Sequence, residues 1–251
     1  MTGVPDGIDQ TMLNARIASG ILADVEVGAG CTVAAAPGAT FTNVVFESTK
    51  FRDAELSCAT FSECVFRSCV LRNADLSDCR FERCRFYDAD EELTCDFSYA
   101  DLRRARFERC DLTTAKLVRV RAYGIELVSC LAAGADWSDA DFRLSTGAFS
   151  SATFESCNLT YADFSRTDLA ECALTGCRLN HAVFHDAVLR AADLSGTAFE
   201  SIEARGLVLA GADLRGATFN NLDPREMDLT GVRVEPEQGF ALLQAMGIEV
   251  G

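Results

Sequence analysis

Residues 51 to 86 read FRDAELSCATFSECVFRSCVLRNADLSDCRFERCRF, and every fifth one from Phe51 to Phe86 is Phe or Leu. The position two before each of these centres is always small: Ala54, Ala59, Cys64, Cys69, Ala74, Cys79, Cys84. The frame reaches back to Phe41 and Phe46, then slips by one residue and resumes from Phe97 to Phe142. Ala122 and Ala132 are undersized members of that second stretch, after which the frame slips by two more and runs from Phe149 to Val234. Of 38 slots, 33 carry Phe, Leu or Trp, which chance does not produce. A fixed short period of this kind is the signature of a repeat architecture.

Period five fits neither standard element. On an α-helix a five-residue step turns about 500°, so successive centres drift by ~140° and form no stripe. On a flat strand an odd step sends successive centres to opposite faces. Within a unit the two inward residues are one pleat apart, and the next inward residue follows three later, so the chain must bend once per unit. Four right-angled bends close a coil every 20 residues. Coils stacked at the ~4.8 Å strand spacing give roughly 9.5 turns and a rod of about 45 Å.

The chain has 251 residues, 49% hydrophobic and 24% charged, enough for a real core and unlike a disordered tail. No run approaches the ~18 apolar residues of a membrane helix. Met1 to Gln10 is polar and acidic and carries no secretory pattern. Twelve cysteines without such a signal suggest reduced thiols and a cytoplasmic protein. Ten of them fill the small inward slot, Cys31 and Cys58 excepted, so they read as buried small hydrophobes rather than metal ligands. His181 and His185 fall on outward slots, and no phosphate loop, nucleophile elbow or metalloprotease helix is present. No enzyme, cofactor or metal site is expected. The net charge of -15 argues against direct nucleic-acid binding.

The units Ala74-Asp75-Leu76 and Ala192-Asp193-Leu194 give the pattern A-(D/N)-L-x-x. It resembles the pentapeptide repeat family, which implies an all-β fold, a right-handed quadrilateral β-helix, over residues 39–234. Residues 1–38 then read as an N-terminal cap with irregular coils, where Ile8, Met12, Leu13 and Ile17 have helical spacing. The frame breaks lie near 87–96, where one extra residue among five carboxylates predicts a small bulge or loop, and near 143–148. Family members carry a glycine hinge, a part that Gly147 matches. Residues 235–251 form a C-terminal cap. Pro236 in the first turn beside Glu235 and Glu237 starts a helix. Phe240, Leu243 and Met246 share its face, Gly247 ends it, and Ile248-Glu249-Val250 reads as a last strand. That ending resembles the Qnr and MfpA type proteins, in which helix and strand build a two-fold dimer. The resemblance implies a homodimer interface of Phe240, Leu243, Met246, Ile248 and Val250.

Charge is uneven along the chain. Residues 1–96 carry -8, 97–144 carry +1 and 145–251 carry -8. A duplex of ~45 Å holds roughly 26 phosphates, so -15 is somewhat over half of that density. With the family resemblance, this implies a DNA mimic that binds DNA gyrase, or topoisomerase IV, and protects it from quinolones or a natural-product poison. The expected contact residues are Asp88, Asp90, Glu91 and Glu92 in the first break and Asp163, Asp168, Glu171, Asp193, Asp213 and Asp228 in the C-terminal half. The band Arg103, Arg104, Arg106, Arg109, Lys116, Arg119, Arg121 departs from a simple mimic: it is either paired surface charge or a match to an acidic patch on a partner. The competing reading is a scaffold rod binding an unknown protein, which predicts no effect on supercoiling.

Overall fold

The computed structural model describes residues 6–88, 91, 93–144, 150–220, 222–223, 225 and 227–249. Its chain winds as a β-solenoid of about ten turns whose neighbouring coils pair in parallel. Each coil has four walls. Wall 1 stacks Phe41, Phe61, Phe81, Phe107, Leu127 and Phe154 in register. Wall 2 stacks Phe46, Phe66 and Phe86; wall 3 follows the bridged column Lys50, Val70, Asp96; wall 4 follows Glu55, Asp75, Asp101. All the named centres are buried, each contributing roughly 1.5–3 kcal/mol. In-register stacking lays ring on ring: Phe41–Phe61, Phe61–Phe81 and Phe81–Phe107 centroids are 4.6, 4.9 and 4.5 Å apart, nearly parallel. Trp137 stands in the coil whose second wall offers only Ala132, so bulk is conserved within the coil.

Most corners are four-residue turns. Ala54 N–H donates to Phe51 O at 3.1 Å, and Asp53 between them has φ +57°, the left-handed residue such a turn needs. The Asp before each centre caps the corner: Asp75 Oδ1 accepts from Ser77 N at 3.0 Å, and Asp96, Asp136, Asp163 and Asp193 repeat the contact. This explains the Asp/Asn slot. The corner between walls 1 and 2 uses thiols instead. Cys64, Cys84, Cys110, Cys130, Cys157 and Cys177 form one column, each donating to the carbonyl of the wall-1 centre one coil below at 3.3–3.5 Å. Cysteine replaces alanine there because the S–H supplies a weak donor without added bulk. Burial raises the Cys84 thiol and pushes Cys79 and Cys172 up to about 12. Cys31 is buried too, although it lies outside the repeat, and Cys58 is the exposed thiol.

Both frame breaks are larger than the frame slip suggests, because a slip counts insertions only modulo five. Cys95 N donates to Phe86 O across nine residues where Ala54 and Phe51 are separated by three, so six residues are inserted. They leave the coil as a hairpin pairing Tyr87–Asp88 with Leu93–Thr94. At the second break, Leu127 pairs with Phe154, 27 residues on instead of 20, so seven are inserted. The wall sequence Leu127, Ala132, Trp137, Phe142 is complete before Phe154 begins the next coil. Phe149 and Gly147 lie outside the described residues. The two insertions leave at diagonally opposite corners, between walls 2 and 3 and between walls 4 and 1.

The N-terminal end is closed. Helix α1 (Gln10–Ile17) is capped by Asp9 and lays Leu13, fully buried, over the core. Gln10 accepts from Thr32 N and donates to Thr32 O, standing in for a missing strand at the edge. Ile8 belongs not to this helix but to the strand Asp6–Ile8, paired with Val25–Val27. At the other end, helix α2 (Pro236–Ala245) docks through Gln238, whose amide donates to Leu214 O and Ala217 O at 2.7 Å, and through half-buried Leu242. Ile248 and Glu249 form no strand, because the Ile248 N–H turns back to donate to Leu243 O at 3.0 Å; Val250 lies outside the described residues. No helix among the described residues is long and apolar enough to cross a membrane.

Candidate partner-binding surface

The outward residue just before each centre makes four vertical columns, and their charges differ sharply. Wall 3 bears Asp96, Asp136, Asp163 and Glu203 against Lys50 and Lys116. Wall 4 bears Glu55, Asp75, Asp101, Asp141, Asp168 and Asp228 against Arg121. These two adjacent walls therefore carry ten acidic and three basic side chains. Wall 1 bears Glu126, Asp193 and Asp213 against Arg80, Arg106 and Arg233; wall 2 bears Glu26 and Asp111 against Arg85 and Arg178. The other half of the perimeter is thus five acidic to five basic. The turn geometry does not require that charge: Asn158 caps its corner equally well through Thr160.

Not all ten carboxylates are open. Asp101 is buried; burial raises its pKa, but hydrogen bonds from Arg103 and the Arg121 charge outweigh it and hold the group below its usual range. Asp141 pairs with Arg143 and Asp96 with Arg72. Glu55, Asp75, Asp136, Asp163, Asp168 and Asp228 make no ion pair within 4 Å among the described residues.

The sequence-expected contact residues do not converge on one face. Asp163 lies on wall 3, Asp168 and Asp228 on wall 4 with Val188 and Val208 between them, and Asp193 and Asp213 on wall 1. Glu171 is exposed at the corner between walls 4 and 1. Asp213 is no free carboxylate: it is only 4% exposed, Arg215 grips it at 2.6 Å, Arg233 approaches at 3.3 Å, and its pKa falls to about 2. Asp88 stands in the first insertion within 3.5 Å of Arg67, and Glu91 is exposed beside it; Asp90 and Glu92 lie outside the described residues. Glu55, Asp75, Asp136 and Asp141 were not singled out in the sequence. Counting the slot before each centre by fours, with the six- and seven-residue insertions removed, places them on walls 3 and 4.

The basic band is largely paired surface charge. Arg103 meets Asp101, Arg104 meets Asp78, Arg106 meets Glu126, Arg109 meets Glu108, and Arg119 meets Asp139. The hydrogen bonds from Arg104 and Arg166 hold Asp78 and Asp139 below the usual carboxylate range. His181 stacks on exposed Tyr161 at 4.8 Å, and His185 reaches Glu203 at 3.2 Å. On α2 the apolar face stays open: Phe240 is 48% exposed, and Leu243, Met246 and Ile248 are exposed with it.

Comparison with known proteins follows this geometry. The model of the pentapeptide repeat region matches residues 38–117 and 147–229. The pentapeptide repeat protein QnrB4 of Escherichia coli is 36% identical over 93 residues, which are 36% of this chain and 43% of that protein. The quinolone resistance pentapeptide repeat protein QnrB96 of Scandinavium goeteborgense is 36% identical over the same length, 44% of its own chain. Both matches thus span under half of these relatives. A trypsin-treated variant of QnrB1, a plasmid-mediated fluoroquinolone resistance protein, superposes with a TM-score of 0.68 and 30% identity, covering 92% of this chain and 97% of its own. With repeats, coils and these matches in agreement, the chain belongs to the pentapeptide repeat family and is homologous to the Qnr quinolone resistance proteins.

Proposed function

We propose that the protein is a DNA mimic that binds DNA gyrase, and secondarily topoisomerase IV, and protects the enzyme from quinolones or a natural-product poison. The observation that carries this is the concentration of acidic side chains on walls 3 and 4. Coils at strand spacing set neighbouring outward slots ~4.8 Å apart, so pairs such as Glu55–Asp75 and Asp136–Asp163 make short lines of negative charge, broken by Lys116, Arg121 and the valines, that resemble stretches of a phosphate backbone. A basic saddle built for duplex DNA is attracted to such a line at long range and docks it without reading any base. The resistance named for the QnrB relatives agrees with this reading, and those relatives are not known enzymes.

The open apolar face of α2 supports self-association through the C-terminal end. Two rods joined there would present a line about twice as long. Phe240→Asp with Leu243→Asp should yield a monomer by light scattering that retains its coils by circular dichroism but protects poorly. A monomer with full protection would refute the dimer part. The function itself is tested by supercoiling with purified gyrase, with and without ciprofloxacin. Restored supercoiling or fewer cleaved complexes is the expected result; no effect at micromolar protein would favour a scaffold role instead.

A further inference from the structure

The pentapeptide Arg-Phe-Glu-Arg-Cys occurs twice, at residues 80–84 and 106–110, and the fold stacks the two copies directly in register. Arg80 lies on Arg106, Glu82 on Glu108, and the Arg83 and Arg109 corners follow. Like charges placed directly opposite across strands are destabilising, so this stack is poor for the rod taken alone. Neighbours offset part of it. Arg106 is held by Glu126, Arg104 by Asp78, and Arg83 by Glu82 and Glu63. Arg80 and Arg85, both exposed, make no ion pair within 4 Å among the described residues. Arg80 lines a polar cleft of about 350 Å³ together with the paired side chains Arg104–Asp78 and Arg106–Glu126. The block faces away from the acidic column of wall 3, on the opposite side of the coil.

We infer that this block on wall 1 and the adjoining edge of wall 2 is a second docking surface, and that its partner is a protein segment rich in carboxylates. Arg80 and Arg85 each offer a planar fork that a carboxylate meets with two parallel hydrogen bonds. The Glu82–Glu108 row between the arginine columns selects against a nucleic acid, whose uniform line of phosphates would be repelled there. A protein segment can instead alternate its charges to match. The surface is independent of the acidic walls and does not rest on the identity of their partner.

The test uses the full chain, labelled with ¹⁵N, titrated at physiological salt with a short peptide that alternates glutamate and lysine and separately with a short DNA duplex. The peptide should shift the side-chain signals of Arg80 and Arg85 selectively. Arg80→Glu with Arg85→Glu should weaken that binding at least about tenfold, while the coils remain intact by circular dichroism. Shifts spread evenly over the surface, no shift at these arginines, or stronger binding of the duplex at the same signals would each overturn the inference. Neither titration involves a topoisomerase, so failure here leaves the proposed function standing, and failure in the supercoiling assay leaves this surface standing.

Discussion

The N-terminal coils and the C-terminal coils solve the same corner problem differently. Between Asp53 and Arg109 the left-handed corner position is held by side-chain-bearing residues: Asp53, Glu63, Asn73, Asp78, Arg83, Tyr99, Arg104 and Arg109. From Gly176 onward it passes increasingly to glycine, at 176, 196, 206, 211, 216 and 231. A non-glycine residue pays roughly 1–2 kcal/mol to adopt that conformation. The N-terminal coils recover part of this through what the side chains do. Asn73 reaches Asp53 at 2.9 Å, Arg104 clasps Asp78, and the Arg72 guanidinium lies 5.6 Å from the Tyr99 ring centroid. Their core is a phenylalanine ladder; the C-terminal core is mainly leucine, with bare corners outside. One half of the rod is laced at its edges, and the other is relaxed and smooth.

Variants can break this contrast. The largest effect is expected from the core: Phe81→Ala removes a ring stacked on both sides and should cost about 3–5 kcal/mol in denaturant unfolding, more than Leu194→Ala. Next is the corner: Gly206→Ala should cost about 1–2 kcal/mol from the left-handed backbone, while the exposed Asp186 carboxylate, whose Oδ1 would lie 2.4 Å from the new Cβ, swings aside. Asp53→Gly should be close to neutral, since relief of the turn offsets the lost Asn73 contact. If both corner variants behave alike, the contrast fails. A smaller effect follows from Asp213, whose pKa falls from the usual value near 4 to about 2 through Arg215. A depressed carboxylate stabilises fully above its unfolded pKa, so this contribution should disappear as pH falls from about 4 to 2, and Asp213→Asn should flatten the melting curve's pH dependence in that window. The least perturbing probe is a thiol reagent. In the native protein it should modify Cys58 alone, with the other cysteines reacting only on unfolding; rapid reaction at the Cys64–Cys177 column would show that the coils open.

Much of the fold was legible because two residues in five are dictated by burial. A Phe or Leu centre with Ala or Cys two before it leaves the chain a single way to turn inward. The insertions were legible only in position, because a slip of frame is blind to whole added units; hence the six-residue insertion behind the Tyr87–Thr94 hairpin read as one extra residue. The surface was less legible than the core. Asp163, Asp193 and Asp213 look equivalent in sequence, yet one is open on wall 3, one lies on the balanced wall 1, and one is clamped by two arginines. Which wall a residue joins depends on the cumulative count along the chain, and which carboxylate is free depends on neighbours 20 residues away.

The measurement that bears most directly on the account is gyrase supercoiling in the presence of ciprofloxacin with two matched triple variants. In the first, Asp136, Asp163 and Asp168 become Asn, which removes charge from walls 3 and 4 while each amide oxygen can still accept the corner N–H now held at 2.8–3.1 Å. In the second, Asp111→Asn, Asp193→Asn and Glu155→Gln remove the same charge from walls 1 and 2 and their shared corner. If walls 3 and 4 meet the enzyme, the wild-type chain and the second variant rescue supercoiling and the first loses most of that rescue. Equal rescue by both variants would contradict that contact.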